Sequence, residues 1–141
     1  MVFRDLEMTH PRSGAAPTRF DDQPRRFVLV VLTNAVAERD EEFNDWYDRT
    51  HLPDVLKIEG YVGATRFRVA DAQLGDDTDA AVDSSTDHQY LALYEIEAES
   101  AEIALKHLGD GIAQGVEMSD ALGPSPRVLL FEQLGPRQSK T

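Results

Sequence analysis

The chain has 141 residues, the length of one ordinary domain, so a single core and a single site are expected. With 41% hydrophobic and 28% charged residues it has a globular composition, and its formal charge of −12 argues against nucleic acid or an anionic membrane as partner, since both need a basic face. The absence of cysteine excludes disulfides, thiolate metal sites and a cysteine nucleophile.

In chain order, residues 1–25 read as an N-terminal extension. Pro11, Pro17, Pro24 and Gly14 break any period, and Phe3, Leu6 and Phe20 are its only anchors. This start carries acids and no apolar run, so it does not read as a secretory signal, and no segment is apolar for the 18 residues a membrane helix needs. A cytoplasmic location is the resulting expectation. The domain is expected over residues 26–135, with a polar tail over 136–141.

Residues 27–33, from Phe27 to Thr33, are apolar and β-branched and predict a strand buried on both faces. A helix is predicted from Asp40, as its cap, to Lys57. Phe43, Tyr47 and His51 share one stripe of it, flanked by Trp46 and Thr50. Pro53 is expected to interrupt this helix near Leu52, followed by a short helical turn stopped by Gly60.

Tyr61 to Val69 is the second predicted strand, then an acidic loop from Asp71 to Asp87. Gln89 to Glu97 is the third strand, with Tyr90, Ala92, Tyr94 and Ile96 on one face. Ser100 caps a second helix with the stripe Ala101, Ala104, Leu105, Leu108 and Ile112. Arg127 to Leu134 is the fourth strand. The order β-α-β-β-α-β is the ferredoxin-like α+β unit, a four-stranded antiparallel sheet with two helices on one face. The first strand offers Phe27, Leu29 and Val31 on one side and Val28, Val30 and Leu32 on the other, and the fourth offers Leu129 and Phe131 against Val128, Leu130 and Leu134; both sides are apolar, and a second copy packed sheet to sheet would cover the one the helices leave bare.

Chemistry concentrates in residues 42–67. Phe43, Asn44, Trp46, Tyr47, His51, Leu52, Pro53 and Asp54, followed by Gly60, Tyr61 and Val62 and by Thr65, Arg66 and Phe67, form a run that resembles the EthD-like branch of the dimeric α/β-barrel superfamily. The likeness in element order extends over roughly residues 27–134. The resemblance implies a homodimer whose two sheets form a barrel, with a cavity in each subunit between sheet and helices. It does not fix a reaction, because the superfamily holds monooxygenases, isomerases and cyclases.

His51 is the leading candidate acid/base, with its charge favoured by a helix C-terminus, and Tyr47 its oxyanion partner. Trp46, Phe43, Tyr90 and Tyr94 are expected to line the pocket, and Arg66 to bind substrate, for instance through a carboxylate. Asp48 could orient the imidazole. No metal site is expected from Asp48, His51 and Asp54, and the acidic stretch Asp76 to Asp79 lacks EF-hand spacing. His107 is expected to be exposed and His88 could face either way; His10 sits in the extension. Asn34 and His107 resemble positions used by haem-degrading relatives, but the third strand lacks the tryptophan those enzymes need, so no cofactor is expected. The expected function is a cofactor-free small-molecule enzyme using His/Tyr proton transfer on an apolar oxygenated substrate, aromatic or polyketide-like, as cyclase, isomerase, dehydratase or lyase. The alternatives are a cofactor-independent monooxygenase and a non-catalytic dimeric ligand-binding or accessory protein.

Overall fold

The computed structural model describes residues 24–75 and 83–140. The extension's proposed anchors, His10 and the acidic stretch Asp76 to Asp79 lie outside them. The strands are β1 (Arg25–Thr33), β2 (Tyr61–Arg68), β3 (Tyr90–Ala98) and β4 (Arg127–Glu132). They form one antiparallel sheet in the order β2-β3-β1-β4, the ferredoxin-like arrangement. The helices are α1 (Asp40–Trp46), α2 (Leu52–Val55) and α3 (Ala101–Ala113).

The strand pattern sorts side chains by parity. Phe27 and Leu29 of β1 and Tyr90, Ala92, Tyr94 and Ile96 of β3 are buried beneath the helices. Leu29 pairs with Tyr94 on one side and Leu130 on the other, which keeps that face continuous. Val28, Val30, Leu91, Leu93, Leu129, Phe131 and Phe67 fall on the opposite face, where Phe67 and Phe131 are each 51% exposed.

Pro53 does not interrupt the first helix. Residues Tyr47–His51 form a π-helical segment that joins α1 to α2, and the Leu52 amide donates to the Tyr47 carbonyl five residues back. Proline lacks the amide of an α-helical bond and its ring collides with the carbonyl four residues earlier. One widened turn relieves both problems, so the helix runs on through Pro53. Asp40 does not cap this helix either: Arg39 occupies the cap without a side-chain bond, and the Asp40 carboxylate accepts from the Tyr90 hydroxyl at 2.6 Å.

Ser100 does cap α3, accepting from the Ile103 amide at 3.1 Å. On α3, Ala104 is fully buried, whereas Leu105 and Ile112 of the expected stripe are 46% and 51% exposed. Gly60 (φ +89°) turns the chain into β2, and a side chain there would strike the Glu97 carbonyl. Asn34, the haem-like position, is committed to the scaffold. Its amide donates to the Asp87 carbonyl and its oxygen accepts from the Gln89 amide.

Candidate functional site

An aromatic cluster joins the first helix to the sheet. Phe43 is fully buried, with ring centroids 5.3 Å from Tyr47, 5.0 Å from Tyr90 and 6.1 Å from Trp46. The π-helical segment sets the next contact. Widening the turn brings residues five apart into line, and Trp46 stacks on the His51 ring at 4.6 Å and 29°. Tyr47 meets the same imidazole edge-on at 5.0 Å.

A cavity of about 170 Å³ lies between this cluster, the sheet and α3. Trp46, Tyr47, His51 and Tyr94 line it with Leu29, Val31, Thr33, Val55 and Leu108; Ile112, Met118 and Val128, each about half exposed, mark its mouth. Two larger grooves, of about 460 and 390 Å³, are more open and expose more polar surface. The apolar cavity is the most sheltered of the three, and polar groups gain strength in apolar surroundings.

Two polar atoms at this cavity lack partners among the described residues. They are the Tyr94 hydroxyl and the His51 Nδ1, both buried. Burial raises the pKa of Tyr94 steeply, and the adjacent Tyr47 hydroxyl raises it further, although the two do not meet in hydrogen-bonding geometry. Burial also raises Tyr47, offset by its interactions with Tyr94 and Arg66. Both phenols stay protonated at neutral pH.

His51 departs from the expectation of a charge favoured by a helix end. The helix continues past it to Val55, so no C-terminal dipole acts there. Burial instead lowers its pKa, and the nearby Asp54 only partly offsets this. The imidazole is therefore neutral at neutral pH and able to accept a proton.

Arg66, Tyr90 and Phe43 do not line the cavity. Arg66 lies over the Tyr47 ring at 4.4 Å and bonds Asp48 at 2.9 Å and Asn44 at 2.7 Å, which leaves its side chain 13% exposed. Asp48 thus pairs with Arg66 rather than orienting His51. Tyr90 is tied to Asp40 and accepts from Asn44 on the outer side of the cluster. Arg66 and Tyr90 border the groove of about 390 Å³ instead. His107 is partly buried rather than exposed, with Nε2 4.0 Å from Glu59 in the other groove, and His88 Nε2 lies 3.0 Å from the Ser125 carbonyl. Among the described residues no group of three or more His, Asp or Glu is placed to hold a metal ion.

The sequence reading missed the segment that closes the cavity. Residues 115–126 cross it, and the Trp46 Nε1 donates to the Glu117 carbonyl at 3.2 Å while Asp54 accepts from the Glu117 amide. Met118 and Leu122 reach the cavity from this segment. Their apolar side chains at spacing four within a polar stretch were the available signal.

No protein-family model matches the chain, and no curated protein matches it. Among solved structures, the chain is similar to an ethyl tert-butyl ether (EthD) family protein from Bacillus halodurans C-125. The TM-score is 0.51 at 14% identity, over 77% of this chain and 99% of that one. The chain shares its fold with an EthD-family protein. At that identity the likeness establishes architecture and leaves chemistry to the site itself. Among the described residues no helix is long and apolar enough to cross a membrane.

Proposed function

We propose that the chain is an EthD-like small-molecule enzyme that moves protons on an apolar oxygenated substrate held between sheet and helices. The observation that carries this reading is one apolar cavity lined by both His51 and Tyr47. A neutral imidazole takes a proton from carbon next to a carbonyl, the Tyr47 phenol donates to the oxygen as negative charge gathers there, and the proton returns to carbon at the same or another position. Isomerisation, cyclisation, dehydration and lyase steps all begin this way.

Deuterium exchange at the benzylic carbon of phenylacetone in D2O, followed by NMR with the full chain, tests it. The reading expects His51→Asn to slow the exchange at least 100-fold while the circular dichroism spectrum is unchanged. Equal exchange by the wild-type and His51→Asn proteins overturns it. A second reading, ligand binding without turnover, draws on the unpartnered His51 Nδ1, since a catalytic imidazole normally has its second nitrogen held. It predicts binding of phenylacetone with no exchange above buffer.

We infer also that two copies pair through the outer sheet face. The apolar residues Val28, Val30, Leu93, Leu129 and Phe131 stand in register there, and sheet-on-sheet packing would bury them.

A further inference from the structure

The segment that closes the cavity is held unevenly along its length. Residues 119–123 are anchored to the frame. The Val36 amide donates to the Ala121 carbonyl at 2.8 Å and the Gly123 amide to the Asn34 carbonyl at 2.7 Å. Arg39 bonds both the carboxylate and the carbonyl of Asp120, and Ala121 is fully buried. Residues 116–118 have no such frame. Among the described residues their hydrogen bonds are two, both at the Glu117 backbone and both to side chains of the first helix. Trp46 Nε1 donates to the carbonyl at 3.2 Å, and the amide donates to the Asp54 carboxylate at 3.4 Å.

The ends of this loosely held stretch suit movement. Upstream lies Gly115, with φ +119° and open space where a side chain would stand, so the chain can pivot there without a clash. Downstream, the bond from the Leu122 amide to the Ser119 carbonyl starts the anchored part. Met118, at the cavity mouth and 54% exposed, rides on the stretch between them. Trp46 sits at the junction of this stretch and the site: its ring stacks on the His51 imidazole at 4.6 Å while its Nε1 holds Glu117. On the reading above that this cavity is the ligand site, we propose that residues 116–118 are the gate through which it is loaded, and that Trp46 is the positioning residue that latches the gate and holds the imidazole beneath it. Asp54 supplies the second latch. Two single, long hydrogen bonds favour the shut state by a modest factor, which lets the gate open at thermal cost.

Trp46→Phe keeps a ring against His51 and removes the Nε1 latch. Exchange of phenylacetone with the full chain at pH 8, where His51 is neutral, is read from NMR line shapes of the Met118 methyl through a titration. Association and dissociation should both speed up about 5-fold, the effect of losing one ordinary hydrogen bond, while Kd stays within about 2-fold. A ring that only packs would weaken binding through dissociation alone. The chain has a single tryptophan, so its indole N–H is one resonance. Asp54→Ala should speed the exchange of that proton with D2O about 5-fold, because both bonds hold one moving stretch, and Asp54→Asn, which keeps an acceptor, should restore the wild-type rate. This second measurement decides the matter if Trp46→Phe does not fold. Unchanged phenylacetone rates in folded Trp46→Phe, a loss of affinity carried by dissociation alone, or indole exchange indifferent to Asp54→Ala overturns the gate and leaves the cavity reading standing. Phenylacetone that leaves the Met118 methyl of the wild-type protein unshifted overturns both.

Discussion

Both faces of this sheet carry large apolar residues, and the two meet different fates. Beneath the helices, Phe27, Leu29, Ala92, Tyr94 and Ile96 are each at most 2% exposed, while on the far face Phe67 and Phe131 remain half exposed. Strand alternation alone does not distinguish them. The helices do, because they bring the aromatic cluster of Phe43, Trp46 and Tyr47 to one face, and among the described residues nothing comparable covers the other. The inner face therefore holds the fold and encloses the cavity, and on the outer face the described residues leave large apolar side chains half exposed.

That contrast can be broken at its strongest point. Phe43→Ala removes a fully buried ring in contact with three others and is expected to cost about 3–5 kcal/mol, read as a shift in the urea midpoint. On the outer face, Phe131→Asp should leave the subunit folded but raise the dimer dissociation constant at least 100-fold, equivalent to about 2.7 kcal/mol, as measured by sedimentation equilibrium. A wild-type chain that sediments as a monomer would overturn the pairing.

Tyr94→Phe sharpens the comparison in the opposite direction. Removing a buried hydroxyl that has no partner among the described residues should stabilise the protein by about 1 kcal/mol, a gain that a well-bonded tyrosine would not give. A smaller effect comes from His51. Its folded pKa lies below the value of about 6.5 expected in the unfolded chain, so unfolding takes up a proton as the pH falls. The associated stability is complete above pH 6.5 and is lost as the pH drops from 6.5 to the lowered folded value. His51→Gln should flatten that part of the stability–pH curve, and an unchanged slope would contradict it. Smallest is Leu134→Ser: at 96% exposure, its change in stability should stay within about 0.5 kcal/mol.

Most of the fold was legible in residue pattern. Tyr90, Ala92, Tyr94 and Ile96 alternate as a half-buried strand must, and Ser100 announced a helix start that its bond to Ile103 bears out. The site was legible in part. Residues 42–67 were recognisable as its source, and Trp46, Tyr47, His51 and Tyr94 do share the cavity. Phe43, Tyr90 and Arg66 were grouped with them because sequence spacing gives no depth: Phe43 ends in solid packing, and Tyr90 and Arg66 border the outer groove.

Sequence by itself determined the element order, the parity of each strand and the identity of the aromatic segment, because periods of two and of three to four residues are local properties of the chain. Only the tertiary structure decided how Pro53 is accommodated, that Trp46 stacks on His51, that Arg66 serves Asp48 and Asn44, and which hydroxyl has no partner among the described residues. Each of these depends on distances between residues brought together by packing, and burial, which sets the protonation of His51, exists only once the sheet and helices have met.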